Sequence, residues 1–368
     1  MSSNTGYITS TRAATAVAIA LSVLLGGCAQ LGPQAIKATR LDYNIAVQKT
    51  TDEQLLVNLV RMRYRDTPLF IDVSAIASQL NITGGASASG NLLPNIADSY
   101  EIGGSVEFSE TPTISYSPLQ GEDFVKRLLA PVRVDQLILL SNSGWSLSRI
   151  LRVCVQHMNG IANAPRASGP TPDTPPEFAD FIRLADRIRE LQLDNALEIG
   201  YQTGGEQPVA VIRFKPSART AAPMSDVVSL LNLELGQETF VLNEDPLGTN
   251  RDVIRLRTRS LLGILYYLSQ SVAIPEADAA AGKVTVTRNT DGSPFDWADV
   301  TRGLFHVSTA TTRPDSAAVA VRYRGHWFYI DDTDLDSKST FAFLSQLFAL
   351  QAGSAESVSP VLTLPVGN

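Results

Sequence analysis

The chain has 368 residues, of which 44% are hydrophobic and 18% charged, and a formal net charge of −7. This composition supports one or two packed domains and excludes general disorder. An acidic chain with no block of Lys and Arg lacks what nucleic-acid phosphates demand, so nucleic acid is excluded as a partner.

Residues 1–12 are polar and end in Arg12, after which Ala13 to Leu25 runs without a charge. Such a run has the length of a signal-peptide apolar region and is short for a helix that spans a bilayer. It stops at Leu25-Gly26-Gly27-Cys28, which resembles the lipobox of bacterial lipoproteins. The resemblance implies a signal peptide over 1–27, cleavage between Gly27 and Cys28, and fatty-acyl (palmitate) chains carried by Cys28. Two or more such chains hold a protein stably to a membrane, at roughly 0.8 kcal/mol per buried methylene. Ala29, where an Asp would direct retention, implies the outer membrane, with the body facing the periplasm. Loss of 1–27, with Arg12 as its only charge, leaves a mature chain of about −8. Once the Cys28 sulfur is a thioether, Cys154 is a lone thiol and has no disulfide partner.

Residues 28–40 read as a tether, and 41–163 as an N-terminal α+β region. Thr51, with Gln54 three residues on, has the pattern of a helix N-cap and capping box. Leu55, Leu56, Leu59, Val60 and Met62 supply the apolar stripe. Arg61, Arg63 and Arg65 crowd the last turn, where cations suit the helix dipole, and Asp66-Thr67-Pro68 ends the element. A solvated helix end is the reading of those arginines, with lipid headgroups as the alternative.

From 78 to 116 the pattern changes to period two. Leu80, Ile82, Gly84, Ala86, Ala88 and Gly90 alternate with polar or small residues. After a turn near Pro94, Tyr100, Ile102, Gly104, Val106 and Phe108 do the same. This predicts a Gly-rich β-hairpin. It lies on its own domain or on a neighbouring subunit, or it enters a membrane as barrel strands contributed by several subunits.

Short helices are expected at Asp123–Leu129, Val134–Leu140 and Ser146–Met158. Prolines at 165, 170, 172, 175 and 176 predict a linker over 164–176 that separates a C-terminal α+β domain, 177–368. In that domain, Phe178 to Ile188 has helical spacing. Strands are expected at 196–203, 208–215, 239–243, 252–258, 304–308, 317–323, 326–330 and 360–365. Helices are expected at 224–235, Leu261–Leu268 and 338–351. Strands and helices mix without βαβ repetition, so the fold class is α+β.

Few groups point to chemistry. Cys154 and His157, three apart, would share a helix face as a thiol–imidazole pair; a buried core cysteine is the simpler reading. Asp332, Asp334 and Asp336 begin like a calcium loop, but Ser337 and Phe343 stand where its glycine and glutamate belong. Helix capping explains that acidic run, Asp331 included, more simply. Histidines 157, 306 and 326 are scattered. Glu244 and Asp245 adjoin in a turn. The nucleophile elbow, the phosphate loop and the dinucleotide glycine pattern are all missing from the sequence. The aromatic strand His326-Trp327-Phe328-Tyr329 beside Tyr323 closes a core or presents a surface. No catalytic residue, cofactor or metal is therefore expected.

Asp52-Glu53-Gln54-Leu55-Leu56 through Arg65-Asp66-Thr67-Pro68-Leu69-Phe70, and Asp334 to Leu350, resemble a group of proteobacterial lipoproteins that carries no known activity. The expected function is that of a membrane-anchored, non-enzymatic envelope scaffold that binds another envelope protein or itself. The alternatives are a subunit of an oligomeric outer-membrane pore or secretion-type assembly using hairpin 78–116, and a periplasmic ligand-binding or hydrolytic module.

Overall fold

A computed structural model describes residues 40–90, 100–205, 207–218, 222–244 and 248–352. The fold is α+β. The chain divides into two units, Met1–Gln54 and Leu55–Asn368.

The first helix, α1, runs over 40–63. Thr51, expected as its cap, lies inside it, because no Gly or Pro interrupts the sequence between Arg40 and Asp66. The Thr50 hydroxyl turns back onto the carbonyls of Ala46 (2.9 Å) and Val47 (3.0 Å), a mid-helix habit of threonine. Leu56, Leu59 and Val60 are fully buried, each worth about 1.5–3 kcal/mol against exposure. The helix stops where Arg65 takes a positive φ of 60° and the Asp66 N–H reaches back to the Arg61 carbonyl.

Two strands follow, β1 (Ile71–Gly90) and β2 (Tyr100–Pro118), paired antiparallel as a sheet of their own. The turn expected near Pro94 falls outside the described residues. Helices α2 (Glu122–Leu129), α3 (Val134–Asn142) and α4 (Leu147–Cys154) come next. The third expected helix is shorter than its sequence pattern suggested: Val155–Met158 is strand β3 and Ile161–Ala162 is β4. Val155-Gln156-His157-Met158 buries its two end residues, a spacing of three that fits a helix as well as a strand, so periodicity does not separate the two.

After helix α5 (Ala179–Leu193) come β5 (Leu197–Gln202), β6 (Val209–Phe214), helix α6 (Ala222–Leu231), β7 (Thr239–Asn243) and β8 (Val253–Thr258). One six-stranded sheet joins them in the order β4-β3-β8-β7-β6-β5, antiparallel except at β7–β8. It draws strands from both sides of 164–176, so that stretch is not a domain boundary. Ala164, Ala167 and Thr171 are buried. The Pro172 and Asp173 carbonyls accept from Thr287 and from the Arg288 N–H, which makes the segment a pinned strap.

Helix α7 (Leu261–Ser269), capped by the Ser260 hydroxyl accepting from the Gly263 N–H at 3.1 Å, is apolar all round and lies in the core. Two short helices that sequence periodicity did not reveal follow, α8 (Glu276–Ala280) and α9 (Ala298–Thr301). Strands β9 (Ser308–Ala310), β10 (Ala317–Tyr323) and β11 (His326–Asp331) form a second sheet, ordered β10-β11-β9. Its tight turn is Arg324-Gly325, both at positive φ, as a two-residue hairpin loop requires. Helix α10 (Leu335–Ala352) closes the described chain, and the strand expected at 360–365 lies outside it.

Candidate functional site

The β1–β2 ladder holds 19 paired positions, roughly 60 Å at the usual rise per residue. Its root is fixed to the body by three devices. Buried Asn58 clamps the backbone of Leu69, donating to its carbonyl at 2.7 Å and accepting from its N–H at 3.0 Å. The Leu119 N–H donates to the Phe70 carbonyl at 2.9 Å. The buried Phe70 ring packs against Phe348 at 4.9 Å and Phe124 at 6.2 Å. Beyond the root, a bulge between Val73 and Ala75 interrupts the register.

The register sorts the sequence rows by face, since directly paired residues share one. Ile82 pairs with Phe108, Gly84 with Val106, Ala88 with Ile102 and Gly90 with Tyr100. Asn81 pairs with Ser109, Thr83 with Glu107, Gly85 with Ser105 and Ser89 with Glu101. In register, the small residues of β1 thus pair with larger apolar residues of β2. Gly85, Ser105 and Ser109 in the polar row are exposed. Pro112, paired with Ser78, has no N–H to give and belongs to an edge. Tipward of that pair lie 79–90 and 100–111, about the length of a tilted barrel strand. Among the described residues neither strand pairs with a third. Around the root, Leu69, Ile114, Tyr116, Val125 and Leu129 are exposed.

The arginine-rich helix end proves to be a buried junction and not a solvated one. Arg63 is 6% exposed and donates to Thr171 Oγ1 (2.9 Å) and the Thr285 carbonyl (3.1 Å). Burial lowers its pKa to about 10. Arg65 reaches the Thr171 carbonyl. Tyr64 donates to Asp278 at 2.7 Å, and Lys283 lies 2.5 Å from the same carboxylate. Burial and that bond both push the Tyr64 hydroxyl up. Asp66 accepts from Tyr323 and from Arg324, whose guanidinium also sits 4.9 Å over the Tyr64 ring. Partial burial alone would raise Asp66; those donors outweigh it and hold the carboxyl below its usual value. Tyr64, Arg65 and Asp66 therefore fasten the end of α1 to α8, to the 164–176 strap and to the β10–β11 hairpin.

The other sequence candidates resolve into structure. Cys154 ends α4 and His157 lies on β3, so the two do not share a helix face. Complete burial pushes the Cys154 thiol up to about 12, far from a nucleophile, although Arg259 pulls the other way. Burial, with Arg257 and Arg259 nearby, holds His157 below its usual value. Arg259, fully buried, is the group that organises this region. It donates to the carbonyls of Arg152, Val153, Val155 and Asn163 and to the Ser168 hydroxyl, and covers the Tyr267 ring at 4.0 Å. Burial lowers its pKa to about 10.

Each acid of the run after β11 has its own structural partner. Asp331 turns onto Thr333, Asp332 pairs with Lys338, Asp334 accepts from the Ser337 N–H and hydroxyl, and Asp336 meets Arg149. Glu244 accepts from the Val134 N–H at 2.8 Å; Asp245 lies outside the described residues. Of the aromatic strand, Phe328 is fully buried, while His326, Trp327 and Tyr329 are half-buried. His306 is exposed, its N–H donating to the Ser337 hydroxyl. Among the described residues no three His, Cys, Asp or Glu gather to hold a metal ion. None of their helices is long and apolar enough to cross a membrane. Gly27 and Cys28 lie outside the described residues. No protein-family model, curated protein or solved structure matches the chain.

Proposed function

We propose that the chain is a membrane-anchored envelope lipoprotein, without enzymatic activity, that assembles with copies of itself into an outer-membrane pore through the β1–β2 arm. The observation that carries this is the ladder of 19 pairs with no third strand among the described residues. An isolated two-stranded sheet is marginal in water, and long unpaired edges invite pairing with another chain. In a bilayer every backbone group must be satisfied, so a hairpin enters only when neighbours close it into a barrel.

The distal half of the arm has the composition such strands need. An apolar row alternates with a polar one, as lipid-facing and lumen-facing residues do. Tyr100 and Phe108, in the apolar row, are eight residues apart, about 27 Å along a strand and, at the usual tilt, about 20 Å of height, most of a barrel's apolar band. Glu110, paired with Leu80, marks where that row ends. Glu101 and Glu107 stand in the polar row, where rings of carboxylates favour cations. Acyl chains on Cys28 would hold each subunit at the bilayer and raise its local concentration for assembly.

The experiment is extraction of the full-length lipidated chain in mild detergent, followed by native mass measurement and electron imaging. The expected result is a closed ring of several subunits that falls to monomers when residues 78–112 are deleted. A monomer in both cases overturns the pore. Crosslinking of a monomer to a different envelope protein would return the assignment to a scaffold.

A further inference from the structure

A second feature, remote in sequence from the arm, is a cavity of about 590 Å³. Its walls come from the segment after α7, from α8, and from 284–301, with Val272, Ile274, Ala279, Val284, Phe295 and Trp297 as the apolar lining. This is the size and character of pockets that take small organic molecules. The walls are held in place. Val272 bridges Val307, Ala273 donates to the Val307 carbonyl, and the Trp297 ring N–H donates to Thr287. Thr287 in turn bonds the strap at Pro172.

Arg63 and Gln270 also line the cavity, 6% and 2% exposed. Among the described residues, Arg63 is a cation that bonds only to the uncharged oxygens of Thr171 and Thr285, and its Nε has no partner there. Gln270 donates to the Tyr266 carbonyl, leaving its own side-chain oxygen without a donor. A buried charge without a counter-charge is costly, and an orphaned donor beside an apolar chamber is the kind of defect a ligand corrects. The exposed charges at the mouth lean acidic, Glu276 and Asp296 against Arg288. A net attraction for anions therefore comes from inside, at Arg63.

We infer that this cavity binds a small amphiphile, a carboxylate on an apolar chain or ring, with the carboxylate toward Arg63 and the apolar part against the Val, Ile, Phe and Trp wall. The inference is independent of the pore, since it uses no residue of the arm. Charge and lining commit it to this class: a neutral chain leaves Arg63 uncompensated, and a small inorganic anion leaves the apolar wall empty.

The test is photo-crosslinking of the full chain in phosphatidylcholine vesicles with a diazirine-bearing 12-carbon carboxylate, followed by peptide mapping. Adducts are expected within 270–306, at least tenfold more abundant than with the matching alcohol. Arg63→Gln should abolish that preference. Because Arg63 also fastens the fold, Ala280→Trp at the exposed rim provides a second variant that leaves every Arg63 bond in place and should cut labelling at least tenfold. Equal labelling by the alcohol, survival of labelling in Ala280→Trp, or adducts spread outside 270–306 would each overturn the site.

Discussion

The β10–β11 hairpin and the β1–β2 ladder are both antiparallel pairs of consecutive strands, and they differ in what covers them. In the first, strands of 7 and 6 residues gain a third strand, β9, and bury Val319, Val321, Phe328 and Ile330. In the second, strands of 20 and 19 residues gain no third strand among the described residues, and Ile114 and Tyr116 near the root are exposed. A sheet is stabilised by a buried face and by neighbours on its edges. The short hairpin has both within its own chain. The arm has no third strand among the described residues, and the proposed assembly would supply that neighbour from another subunit.

The largest expected effect lies on the covered side of the comparison. Phe328→Ala removes a fully buried ring that meets Tyr64 edge-on at 6.2 Å, and should cost about 3–5 kcal/mol in denaturant unfolding. Next comes the joint between body and arm. Asn58→Ala leaves the N–H and carbonyl of Leu69 without their partner and should cost about 2 kcal/mol by the same measurement. Either change leaving the midpoint unmoved would break the contrast at its firm end.

A smaller effect should follow pH. The folded state holds Asp66 below the ordinary value of 3.8, so the unfolded chain takes up the proton first. The stability it contributes is complete above that value and is lost as pH falls through the lower, folded one. Asp66→Asn should therefore flatten the acid limb of a stability–pH curve below about pH 4, leaving the neutral region less stable but level. The smallest effect belongs to the arm. Deletion of 78–112, rejoined by a short Gly-Ser turn, should change the unfolding free energy of the body by no more than about 0.5 kcal/mol. A loss of several kcal/mol would mean that the arm packs on its own subunit.

The same contrast governs what could be read from the sequence. Period two and the Arg324-Gly325 turn make β10 and β11 visible, because a half-buried hairpin needs both. The helical spacing of α5 and the apolar sweep of α7 are visible for a similar reason. The start of β1 at Ile71 is not, since the alternation of Ile71 to Ala75 is broken by the apolar run Ala75-Ile76-Ala77 beside the register shift and does not join the pattern that follows. The strap at 164–176 reads as a linker because prolines are counted as breaks; the bonds of Pro172 and Asp173 to 287–288 are long-range and leave no local mark. Arg63 and Arg259 escape for another reason. Charged residues are rarely buried, and nothing in their neighbours announces the carbonyls that gather around them. For the candidate site, the alternation of the two rows was legible, while their face-sharing register and the root clamp at Asn58 needed coordinates.

The most direct measurement is a scan of single cysteines through 100–111, in the lipidated chain with Cys154→Ala, labelled in native membranes with a water-soluble maleimide. Insertion as barrel strands predicts that positions 101, 103, 105, 107 and 109 react while 102, 104, 106 and 108 are shielded by lipid. Uniform labelling of both rows in intact membranes would contradict the account.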